Sequence, residues 1–134
     1  MKQQFNYKNQ SWILDYGLEW ETYESVLQKL FPDKTWLYNQ TDDYQGEWAA
    51  VGYDSEGFWF QQGSFGSCSG CDLLQGIDTM EEAIDFLHDM DKIAFMGKTK
   101  EDALSYLQKK EINLPFIDFT QIFTQLIKLK AIPI

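Results

Sequence analysis

Apolar positions recur along this chain at two periods, and the change from one to the other organises it. Between residues 19 and 31, Tyr23, Val26, Leu27, Leu30 and Phe31 fall at helical spacing on one face, and Pro32-Asp33 stops the run. Ahead of it residues 1–18 are mixed, with Ser11–Tyr16 reading as a short strand before Gly17. Thr35–Tyr38 then reads as a strand and Asn39–Asp43 as a polar turn. Two aromatic-rich runs, Gly46–Tyr53 and Phe58–Gln62, flank Asp54-Ser-Glu-Gly57. Acidic and polar residues ending in glycine between such runs are a hairpin signal, with Gly57 at positive φ. Strict alternation cannot put Trp48, Val51 and Tyr53 on one side, so a bulge is expected near Gly52.

Helical spacing returns in the second half. Thr79-x-x-Glu82 is a capping box opening a helix whose inner face is Met80, Ala83, Ile84, Leu87 and Met90. Lys92–Met96 is a short strand or extended link. Thr99-x-x-Asp102 opens a helix carrying Ala103, Leu104 and Leu107, and Phe119, Ile122, Phe123, Leu126 and Ile127 stripe a last one. The order helix, β-meander, helix, strand, helix, helix predicts an α+β fold. The expectation is a single domain over 1–134, with an antiparallel meander of three to four strands covered by three to four helices. Residues 111–134 would pack on it as an apolar helical segment, expected against the sheet face carrying Trp48 and Trp59.

Composition narrows the picture. In 134 residues, 44% are hydrophobic and 16% aromatic, which is enough apolar mass for a folded core despite a net charge of −10. No apolar run reaches the roughly 18 residues of a membrane span, and the first residues lack a signal peptide's apolar stretch, so a cytoplasmic protein is expected. Charge is uneven. Residues 35–97 carry twelve acids and one lysine, against five acids and four lysines before them and four acids and six lysines after. There is no arginine, the usual bidentate reader of phosphate and guanine, and neither glycine-rich phosphate motif occurs. Direct nucleic-acid binding and nucleotide chemistry are therefore not expected.

Candidate chemistry concentrates in Gly63–Asp72, where both cysteines form Cys68-x-x-Cys71 among Gly63, Gly66 and Gly70. Two thiols at that spacing can share a metal, cycle as a dithiol, or sit in a tight turn. A closed zinc site needs four ligands, and one chain offers Cys68, Cys71 and His88, with Asp72 as the only nearby fourth or a second chain across a dimer. An acidic setting raises a thiol pKa and disfavours redox catalysis. The tight loop is the leading reading, with no cofactor and zinc as the alternative. Single His88 supports no catalytic triad. Asp42, Asp43, Glu47, Asp54 and Glu56 lack the order of a calcium loop and read as an acidic face.

Tyr44-Gln-Gly-Glu47 followed by a hairpin and then Gly66-Ser-Cys-Ser-Gly-Cys-Asp72 resembles a group of small uncharacterised bacterial and phage proteins over roughly residues 42–110. That resemblance implies no activity and transfers no functional residue. The functional expectation is a non-enzymatic protein, monomer or homodimer, that binds a basic protein partner through its acidic centre. By analogy, immunity-type and phage-encoded inhibitors of basic enzymes share this profile. The alternative is a metal- or thiol-dependent function at Cys68 and Cys71.

Overall fold

The computed structural model describes residues 2–41, 45–66, 74 and 76–131. It is an α+β fold of four helices and two antiparallel sheets, one of two strands and one of four. The chain forms two compact units, and each draws on segments far apart in sequence. The first takes residues 1–32, 42–47 and 64–92, the second 33–41, 48–63 and 93–134.

In the first unit, β1 (Gln3–Tyr7) and β2 (Gln10–Leu14) form a hairpin in even register, Gln3 opposite Leu14 and Tyr7 opposite Gln10. Its two-residue turn, Lys8-Asn9, has φ of 52° and 62°, the pair of left-handed residues that matches the strands' twist. This hairpin goes beyond the single strand expected at 11–16; without glycine, its turn gave no signal. Helix α1 (Tyr23–Leu30) begins at Thr22, whose side chain accepts from the Ser25 amide while Ser25 Oγ accepts from the Thr22 amide. Helix α2 (Met80–Met90) opens on the Thr79–Glu82 capping box as expected. The core of this unit contains Trp12, Val26, Leu27, Leu30, Ala83 and Leu87, all at most 1% exposed. Trp12 Nε1 donates to the Tyr7 carbonyl at 3.1 Å, so the buried indole leaves no donor unmet.

The second unit holds the meander except for two strand ends. The strands β3 (Thr35–Gln40), β4 (Gly46–Asp54), β5 (Gly57–Phe65) and β6 (Ala94–Gly97) lie side by side in that order. Gly46-Glu47 at the start of β4 and Ser64-Phe65 at the end of β5 belong to the first unit. The β3–β4 register runs evenly from Thr35 opposite Tyr53 to Gln40 opposite Trp48. Against β3 the expected bulge near Gly52 is therefore absent, and an irregularity lies at Phe58/Trp59 against β6. Alternation resolves the conflict: Val51 and Tyr53 face one side, Trp48 and Gly52 the other. Gly52 lies opposite Trp36, and a Cβ there would come within 2.9 Å of the indole, so glycine is what lets that ring lie flat on the strand.

Helices α3 (Lys100–Lys109) and α4 (Phe119–Ala131) pack in the same unit as this sheet. Phe123 and Leu126 of α4 are fully buried in a cluster with Ala49, Val51, Phe58, Phe60, Met96 and Leu107. The Phe58 and Phe123 rings stand 4.8 Å apart. The terminal helix thus covers the Phe58–Phe60 face. Trp48 and Trp59 belong to the opposite one, so the expected docking face is corrected by one residue of register. Among the described residues, no helix is long and apolar enough to cross a membrane.

Candidate functional site

Sorting charge by unit changes what the sequence segments implied. The ranges that make up the first unit carry fourteen acids and four lysines, net −10; those of the second carry seven of each, net zero. The whole excess negative charge of the protein belongs to one unit. Its four lysines are moreover all engaged by carboxylates of that unit: Lys2 with Glu19 at 2.8 Å, Lys8 with Asp91 at 2.6 Å, Lys29 with Glu21 at 2.7 Å and Lys92 with Asp89 at 3.7 Å. Lys29 also caps the Ser11 carbonyl at 2.7 Å and lies 3.9 Å from the centre of the Trp12 ring, so it is held on the core and turned away from solvent partners.

Of the acids left over, Glu81, Glu82 and Asp85 lie on helix α2 and Asp78 just before it. Ala83, Phe86, Leu87 and Met90 bury one side, which leaves Glu81, Asp85, His88 and Asp89 exposed along a single ridge, with Asp78 exposed before it. Glu81 and Glu82 suit the positive end of the helix dipole. Asp85 stands mid-helix and Asp89 in the last turn, where that dipole offers a carboxylate nothing. Among the described residues no lysine reaches Asp78, Glu81 or Asp85. Helix stability accounts for Glu81 on the ridge and leaves Asp85 as surface charge.

The candidate residues of the sequence are distributed as follows. Glu47 is exposed in the first unit. Glu56 is exposed in the second, at the tip of the β4–β5 hairpin. Asp54 is 8% exposed and serves that hairpin. Its Oδ1 accepts from the Glu56 amide at 2.9 Å, the Gly57 amide at 3.3 Å and Trp59 Nε1 at 3.1 Å. Its Oδ2 lies 3.0 Å from Lys34 Nζ, which also sits 4.7 Å from the centre of the Trp59 ring. Burial favours the neutral acid, but the bonds from Trp59, Lys34 and the Glu56 amide outweigh it and hold the carboxyl below its ordinary 3.8. This carboxylate is committed to the fold. His88 is exposed on α2, and Asp42, Asp43, Cys68, Cys71 and Asp72 lie outside the described residues.

Two residues not singled out by the sequence now stand out. Tyr16 is 98% and Trp20 85% exposed, while Trp12, Trp36 and Trp48 are all under 10%. Both exposed rings come from the bend after β2, where Leu14 bridges to Leu18 and the Glu19 amide donates to the Ile13 carbonyl at 2.9 Å. Tyr16 sits at φ 47° and Trp20 at φ 69°, with Gly17 at φ 98° between them. Left-handed backbone at two bulky aromatics is an outlier that turns their side chains off the core. The only signal in the sequence was Gly17, read there as the end of a strand. Comparison of the chain with models of protein families, with curated proteins and with solved structures gives no match.

Proposed function

We propose that the protein works by binding a basic protein partner through the acidic surface of its first unit, without catalysis of its own. The observation that carries this reading is the segregation of charge, net −10 on the ranges of one unit and zero on the other. A negative field concentrated on one body steers a cationic partner to that body and repels nucleic-acid phosphates and anionic surfaces. The reading is further supported by α2, whose Asp78, Glu81 and Asp85 are exposed and reached by no lysine among the described residues. Asp54 has no part in it, being buried and bonded within the hairpin.

Electrostatic steering acts mainly on the rate of encounter. The test uses the basic protein recovered from cell extract on the immobilised chain. Neutralising Asp78→Asn, Glu81→Gln and Asp85→Asn together should lower its association rate constant severalfold and leave dissociation nearly unchanged. Equal effects from Glu101→Gln with Glu111→Gln on the neutral unit, or no change in either rate, would contradict the proposal.

A further inference from the structure

The bend that follows β2 is closed from within. Leu14 and Leu18 bridge across it and are both buried. The Asp15 amide donates to the Gly17 carbonyl at 2.9 Å and the Glu21 amide to the Leu18 carbonyl at 3.3 Å. The chain then runs directly into Thr22, the cap of α1. Tyr16 and Trp20 thus project from a base fixed by hydrogen bonds and buried leucines, with their rings left in water. Among the described residues neither ring has a ring, cation or hydrogen-bond contact. That is unusual for tryptophan, which folding normally covers for most of its area. The acids of the bend itself are engaged: Glu19 holds Lys2, Glu21 holds Lys29, and Asp15 also interacts within the chain. The open carboxylates beside the rings are Glu24, exposed in the first turn of α1, and Asp78, which borders the same recess as Tyr16. No lysine among the described residues reaches either of them.

Resting on the binding function proposed above, we infer that Tyr16 and Trp20 protrude into the basic partner, each ring entering an apolar recess of its surface while lysines or arginines at the rim meet Glu24 and Asp78. An electrostatic field directs a partner to this unit but does little to hold it there. Burial of aromatic rings does hold it, and tyrosine and tryptophan are among the residues that most often carry the energy of an interface. Because the bend is closed before a partner arrives, little ordering is lost when the rings go in. The surrounding charge selects the occupant. A second copy docking through the same face would bring one unit of net −10 against another, and an anionic lipid surface would meet the same repulsion. A cationic protein surface with apolar recesses favours the rings and the carboxylates together.

The test uses the full chain labelled with 5-fluorotryptophan and, unlabelled, the basic protein recovered from cell extract on the immobilised chain. Asparagine tolerates left-handed backbone, so Tyr16→Asn and Trp20→Asn remove the rings without adding strain, and the second assigns the Trp20 fluorine resonance by its loss. On binding, that resonance should shift while those of the buried Trp12, Trp36 and Trp48 stay in place. Each asparagine variant, with native circular dichroism, should raise the dissociation rate about tenfold and hardly change association. Tyr16→Phe and Trp20→Phe should keep most of the affinity. Asp78→Asn/Glu81→Gln/Asp85→Asn, which slows association, should leave the Trp20 shift in the complex intact. Unchanged dissociation in either asparagine variant, or a Trp20 resonance that does not move in the complex, overturns the anchors while leaving the acidic-surface function standing. Failure to retain any basic protein at low salt overturns both. A Trp20 resonance that shifts with the concentration of the free chain, or on adding zwitterionic or anionic vesicles, would assign the rings to a second copy or to a membrane and overturn the inference.

Discussion

Asp54 and Glu56 stand two residues apart in one turn and show how little the identity of a carboxylate says about its use. Glu56 is in water; Asp54 ties the hairpin amides, Trp59 and Lys34 into one buried cluster. Sequence alone put both on an acidic face, because an Asp-Ser-Glu-Gly turn reads the same whether its first side chain folds inward or not. The consequence is a pH dependence of stability with a definite sign. A carboxyl whose folded pKa lies below 3.8 contributes its full stabilisation above that value and loses it as pH falls through the folded pKa. Asp54→Asn keeps an acceptor for the turn amides but ends the ion pair, and should cost about 2–3 kcal/mol at pH 7. Urea unfolding of the two proteins should show that gap closing as pH falls below about 3.8, towards the pKa of the folded state. A gap of the same size at pH 7 and at pH 2.5 would show that the charge of Asp54 is not what stabilises the turn.

At the scale of elements, helices were legible where caps and apolar stripes coincided. Thr79 and Thr99 both act as caps, each side chain accepting from the third amide of its helix at 3.1 Å. The last helix was legible as an apolar stripe that must be covered, though not which sheet face would cover it. Strand alternation assigns faces only once the register is known, and one step separates the Phe58–Phe60 face from that of Trp59. The β1–β2 hairpin was hidden for a related reason, since a lysine and an asparagine take the left-handed turn that glycine would have announced. Helix α4 gives the clearest test at this level. Ile122, Phe123 and Leu126 are at most 8% exposed, and burying them contributes roughly 5–9 kcal/mol gross at about 1.5–3 kcal/mol each. That is comparable with the net stability of a whole small domain. Ending the chain at Lys110 should therefore abolish cooperative thermal unfolding of the sheet, followed by circular dichroism, and leave an aggregating product by light scattering. A truncated chain that stays monomeric with an unchanged transition would show that the helix is dispensable to the fold.

For the whole molecule, the proposed function turns on which segments fold together, and that is not a property of any contiguous stretch. The acidic block at residues 35–97 was plain in the sequence, but it contributes to both units, and Asp54 and Glu56 fall in the neutral one. The acids of the first unit come instead from three separate ranges, the N-terminal one supplying Asp15, Glu19, Glu21 and Glu24. The exposed aromatics were similarly out of reach, because five tryptophans read as core or surface only when the backbone turns each one in or out. The central claim is that this unit's excess negative charge is the binding surface. Its most direct test is the salt dependence of affinity for the captured basic partner, from about 0.05 to 0.5 M, where surface attraction is progressively screened. Affinity of the native chain should fall steeply across that range, and Glu47→Gln/Glu81→Gln/Asp85→Asn should flatten the slope while Glu101→Gln/Glu111→Gln leaves it intact. An affinity that is flat in salt, or a slope that responds equally to neutralising either unit, would contradict the account.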